Sequence, residues 1–195
     1  VTDGRRRRLA ALTPLGVLLL VGCGPLPDED LEEPEAETRV LDPELVDVHA
    51  WTLSGAEDDP FPDHRPSEVR CPDVGWQVEG TSLEVDTGAC LYLSVEQPLM
   101  RDVDRGEHIV VDMWHQPLHA AVGGFGHVAL VVGEGPDAEL LWEREVFIPG
   151  PSEIWSDAIE APRALAAGER VVFHLHNHGA NTWNLGGVRV DERRP

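Results

Sequence analysis

Three of the nine histidines in this 195-residue chain, His174, His176 and His178, stand at alternate positions in VVFHLHNHGANTW, residues 171–183. On a β-strand successive side chains point to opposite faces. Val171, Phe173 and Leu175 then share one face, and Val172, His174, His176 and His178 the other. Neutral imidazole is a good ligand for zinc and copper. Side chains two residues apart on a strand are offset by about 6.5–7 Å, which two imidazoles bridge by converging on one ion, whereas an offset of about 13 Å at four residues is too wide. The triplet therefore offers at most two ligands to one ion, His174 and His176, and a complete site needs a group from elsewhere. His127 and His115 are the candidate third ligands, with Glu143 as a fourth ligand or a base. The spacing carries no specific zinc signature such as HExxH or paired CxxC. The competing reading is structural: His178 lies between Asn177 and Asn181 at a hairpin mouth, where such side chains satisfy turn backbone groups. Exposed histidines on a polar strand face also require no ligand.

The six tryptophans support a second chemistry. Sugar rings lay their apolar faces on aromatic platforms while their hydroxyls meet amides and carboxylates. Trp114 and Trp155, with Asn177 and Asn181, are the candidate carbohydrate-binding residues; Trp142 and Trp183 are assigned to the core. Catalytic patterns are missing from the sequence. There is no Gly-x-Ser-x-Gly, and the glycines of GGFGHVAL lead into a strand and not into a phosphate-binding helix. Carboxylates are too abundant for any pair to be informative, so metal-dependent hydrolysis or oxidation is contingent on the metal site. A purely structural envelope protein is the third possibility.

The elements that must position these residues are strands. Runs of β-formers separated by Gly, Pro and Asp are GWQVEG, SLEVDT, CLYLSVEQ, HIVVDMWH, HVALVVG, ELLWEREVFI, VVFHLHN and TWNLGGVRV. LVDVHAW, residues 45–51, is a candidate first strand, and SGAEDDPFPDHRP after it reads as loop. No helical period appears. The fold class expected is all-β, an antiparallel two-sheet sandwich of jelly-roll type, with a closed up-and-down barrel as the alternative. Alternation turns Val128, Leu130 and Val132 inward, and likewise Leu140, Trp142, Val146 and Ile148. If these strands share a sheet, its opposite face gathers His127, Glu143 and the histidine triplet. Cys71 and Cys90 are expected to form a disulfide, since an exported chain meets an oxidising compartment.

The charge of −21 comes from 36 acidic residues against 15 basic ones, all Arg; such a surface repels nucleic acid and anionic headgroups. Residues 1–22 carry four arginines followed by an apolar run too short to span a bilayer, which reads as a secretory signal. Leu20-Val21-Gly22-Cys23 resembles the lipobox of bacterial lipoproteins, which implies a diacylated Cys23 at the mature N-terminus. Gly24, in place of an inner-membrane retention Asp, points to the outer membrane, with the membrane as a partner through the lipid. Residues 23–65, acidic and Pro-rich, are expected to form a disordered tether, and residues 66–195 the sandwich domain. GANTWNLGGVRV is similar to the closing hairpin of galactose-binding-like and other carbohydrate-binding jelly rolls.

Overall fold

The computed structural model describes residues 43–135 and 138–191; Cys23, the lipobox and residues 23–42 of the expected tether lie outside them. The strands are β1 (Thr52–Leu53), β2 (Trp76–Glu79), β3 (Ser82–Asp86), β4 (Tyr92–Pro98), β5 (His108–His115), β6 (Gly124–Val132), β7 (Glu139–Ile148), β8 (Glu153–Glu160), β9 (Arg170–Asn177) and β10 (Thr182–Val190). They form two five-stranded sheets, ordered β1-β4-β9-β6-β7 and β2-β3-β10-β5-β8. Among the described residues every strand pairing is antiparallel. The fold is the expected all-β sandwich. Among the described residues no helix is long and apolar enough to cross a membrane.

One core lies between the sheets. Val128, Leu130, Phe173 and Leu175 from one sheet and Leu83, Ile109, Met113 and Trp183 from the other have no exposed surface. These are the residues that strand alternation turns inward, and burying each such side chain contributes roughly 1.5–3 kcal/mol. Cys71 and Cys90 are joined in a disulfide.

The domain begins earlier than residue 66. The Leu45 amide donates to the Val188 carbonyl at 2.7 Å, and Leu45, Val46 and Trp51 are buried in the core. Only the two residues of β1 form a strand in this region, and LVDVHAW itself is irregular. Its apolar residues add to the core without extending a sheet. Strand β8 was not expected. In EIWSDAIE the outward residues mix acids with Ile154, which is 84% exposed, so the apolar signal is diluted. It is an edge strand, and charge on an edge discourages further pairing.

Leu140 departs from the alternation rule. The register between β6 and β7 slips between Leu130 and Val131: Leu130 pairs with Trp142, but Val131 with Leu140. The extra residue, Leu141, packs against the core while Leu140 is 44% exposed. A bulge inverts facing beyond it, and nothing in ELLWEREVFI marks its position. Leu140→Ser is therefore expected to change stability by no more than about 0.5 kcal/mol, as at an ordinary surface position. A loss of about 2 kcal/mol in urea unfolding is the cost of a core position and contradicts this facing.

Candidate metal centre

On the outer face of the sheet formed by β4, β9, β6 and β7, registers fix the neighbours. His174 pairs with Ser94 on one side and Ala129 on the other; His176 pairs with Tyr92 and His127; His127 pairs with Glu145. Ala129 is the small member of this set and leaves space beside His174. Around His174 the face is covered. After β1, residues 54–70 cross it as a strap, and this strap carries Phe61 and His64 onto the histidines.

The strap is held by a buried carboxylate. Asp59 accepts the Phe61 amide at 2.9 Å and the Arg65 guanidinium at 2.6 Å, and also accepts the Tyr92 hydroxyl that rises from β4. Burial and the neighbouring Asp59 push the Tyr92 hydroxyl well above its ordinary pKa, so it stays a donor. Arg170 of β9 donates to the Asp58 carbonyl at 2.8 Å and pairs with Glu96 of β4. A sharp turn follows, with the His64 amide on the Phe61 carbonyl at 3.0 Å, so the Phe61 and His64 rings stack at 5.5 Å.

Phe61 lies over the cluster, 4.4 Å from the His174 ring and 5.1 Å from that of His127. Beneath it, His64 Nδ1 is 3.3 Å from His174 Nε2, and one nitrogen from each of His64, His127 and His174 lies within 4.8 Å of the others. Two nitrogens bound to one tetrahedral zinc at 2.0–2.1 Å are about 3.3 Å apart, so the His64–His174 spacing already suits a shared ion. His127 Nε2 is 3.2 Å from Glu143 Oε2. A proton on that nitrogen, donated to the carboxylate, leaves the lone pair on Nδ1, which is buried and without a hydrogen-bond partner. A carboxylate behind a ligand imidazole fixes its tautomer and orientation. His174 Nδ1 is likewise buried without a partner. A surface cleft of about 520 Å³, lined by Phe61, His64, His127, Glu143, Arg144 and Glu145, leads to the cluster.

Burial, reinforced by the imidazoles of His127, His64 and His176, pushes the His174 pKa down to about 2. Burial, then His178, His64 and His127, lowers that of His176 to about 4. His64 is lowered by burial and by His127, against the opposing pull of Asp63, Asp59 and Glu143. Burial thus holds His64, His174 and His176 as uncharged imidazoles with lone pairs at neutral pH, the state that binds metal.

These shifts set a pH dependence for the metal-free protein. The folded-state value of His174 lies below the ordinary 6.5, so on acidification the unfolded chain takes up this proton first. The stability contribution is intact above about pH 6.5 and falls by about 1.4 kcal/mol per pH unit from there down towards pH 2. Urea midpoints at pH 7.5 and 5.0 are expected to show wild type losing roughly 2 kcal/mol more than His174→Ala. Equal losses contradict the burial of a neutral His174.

The structure brings His127 and His174 together, with Glu143 beside them. His176 sits one step outward, its ring 5.4 Å from that of His64 and outside the converging trio. His115 is elsewhere: it ends β5 in the other sheet, buried, with Nδ1 on the Gln116 carbonyl and its ring against Trp155 and Trp183. His64, the third member of the trio, was not among the expected ligands, because the strap has no strand or helix period to reveal which residue faces the sheet. The one visible sign was FPDHR, an aromatic and a histidine three residues apart in an otherwise acidic loop. Of the carbohydrate candidates, Trp155 is 7% exposed and Trp114 is half-buried, its ring against Gly186. Asn177 and Asn181 are buried and engaged: Asn177 Oδ1 accepts the Trp183 indole at 3.1 Å, and Asn181 Oδ1 accepts the His119 amide at 2.5 Å.

No family model matches the chain, and no curated protein matches it in sequence. Solved structures resemble it in fold. The N-terminal cellulose-binding domain of β-1,4-glucanase C from Cellulomonas fimi is 13% identical with a TM-score of 0.43, over 75% of this chain and 96% of its own. A non-crystalline cellulose specific carbohydrate-binding module, CBM28, is 11% identical at a TM-score of 0.42, over 77% and 97%. The K2 cleaved adhesin domain of Lys-gingipain is 13% identical at 0.41, over 80% and 94%. The likeness is one of sandwich architecture.

Proposed function

We propose that this chain is a lipid-anchored protein of the bacterial cell envelope whose β-sandwich binds one transition-metal ion, zinc or copper, through His64, His127 and His174. The convergence of three imidazole nitrogens within 4.8 Å under the Phe61 ring supports it. A buried polar atom left without a partner costs about 1–3 kcal/mol, and an ion on the lone pair of His127 Nδ1 removes that penalty. Glu143 serves as the outer partner of His127, and the cleft leaves room for a fourth ligand such as water. The lipobox-like LVGC supports acylation at Cys23, and Gly24 in place of a retention Asp supports placement at the outer membrane. A Cys23→Ser protein that still fractionates with membranes contradicts the anchor.

Elemental analysis of the purified, untagged chain, loaded with zinc at neutral pH and then dialysed, tests the metal. Close to one ion per chain is expected; less than about a tenth rules out a site with three good ligands.

Carbohydrate binding is the second reading, and one observation favours it. Phe125 and Phe147 pair across β6 and β7 on the same outer face, rings 4.6 Å apart and 42% and 71% exposed. Such a pair can seat the apolar face of a sugar ring. Retention on amorphous cellulose that survives metal chelation and is lost in Phe147→Ala favours this reading; no retention removes it.

A further inference from the structure

We propose that His176 and His178 form an outer loading site from which the metal ion passes inward to His64, His127 and His174. The inference rests on the metal-binding reading of that trio.

The five imidazoles are graded in depth. His178 is exposed, His176 half-buried, and His174 has no exposed surface. Their rings form an unbroken series: His178 to His176 at 5.0 Å, His176 to His64 at 5.4 Å, and His64 to His174 at 5.4 Å. Between the two outer histidines, Asn177 turns inward and spends its amide on Thr87 and Gly179. Its neighbours are therefore left on the outer side together. The position of His178 also depends on Gly124 at the start of β6, where an added Cβ lies 3.1 Å from the His178 Cβ and 3.2 Å from its Cγ.

This grading answers a difficulty of the inner site. Phe61 lies over His174, which has no exposed surface, so an ion that reached this innermost ligand directly would shed its water before meeting it. Two imidazoles at the surface take the ion with most of its water still attached and hold it weakly. His64 lies within reach of both His176 and His174, so it can take the ion from the first and share it with the second. Each exchange replaces one nitrogen or water by another, and the ion is never without ligands. A loading pair of this kind raises the concentration of metal beside the inner ligands without adding to final affinity.

The test uses Co2+, whose visible absorption reports a tetrahedral site, mixed rapidly with the purified chain. In His176→Ala/His178→Ala the final stoichiometry and spectrum are expected to match wild type, while the loading rate falls on the order of ten-fold or more. Release should slow by the same factor, since affinity is unchanged. The single variant His178→Ala, at an exposed position, is expected to slow loading by a smaller factor and guards against misfolding of the double variant. Unchanged rates in both variants overturn the relay while leaving the inner site standing. Loss of stoichiometric binding in the double variant overturns it differently, by making His176 a ligand of the final site. Failure of wild type to bind Co2+ removes the metal-binding reading, and the relay with it.

Discussion

Replacing His174 with Ala is expected to weaken zinc binding by about 100-fold or more. The free energy of a protein-held zinc, of order 10–16 kcal/mol for four ligands, gives one ligand a share of about 3 kcal/mol, and 1.4 kcal/mol is a factor of ten. His174 is the innermost of the three: it has no exposed surface, and its Nε2 is 3.3 Å from His64 Nδ1. Competition against a chelator of known affinity measures the change. The same substitution reduces the acid sensitivity of the metal-free protein by the share that His174 contributes, a second readout that needs no ion. A His174→Ala protein within three-fold of wild-type affinity contradicts the site.

Asp59→Ala acts at a distance from the ligands. Its side chain is wholly buried and accepts from Arg65, Tyr92 and the Phe61 amide. Breaking a buried charge pair typically costs about 3–5 kcal/mol, and because Arg65 keeps partial access to water the lower end, about 3 kcal/mol, is expected here. The effect on the site should be larger than on the fold. Without Asp59 the strap loses its fastening to β4, and with it go both His64 and the Phe61 cover. Zinc affinity is then expected to fall to the level of a His64→Ala protein, while far-UV circular dichroism stays that of a β-sandwich. Retention of wild-type affinity in Asp59→Ala shows that the strap does not deliver a ligand.

The two halves of the site differ in how readable they are. Val171 to Asn177 alternates cleanly, so Phe173 and Leu175 inward and His174 and His176 outward follow from strand geometry alone. HVALVV places His127 on the same side by the same rule, and the adjacency of β6 and β9 makes the two strands meet. Sequence cannot supply that adjacency, which is also why His115 seemed equivalent: its strand has the same alternation but lies in the other sheet, where its facing puts it in the core. Leu140 was misplaced because a bulge shifts facing with no compositional mark. His64 was missed for a deeper reason. Its position depends on Asp59 meeting Tyr92, residues 33 apart in the chain and joined only once the sheet exists. Irregular segments fixed by a few specific polar contacts have no period to read.

The most direct test of the central claim is anomalous diffraction at the zinc edge from crystals of the zinc-loaded protein. One peak is expected beneath Phe61, within about 2.0–2.1 Å of one nitrogen each from His64, His127 and His174, with Glu143 on the far side of the His127 ring. A peak on His176 and His178 alone, on surface carboxylates, or no bound zinc at all contradicts it.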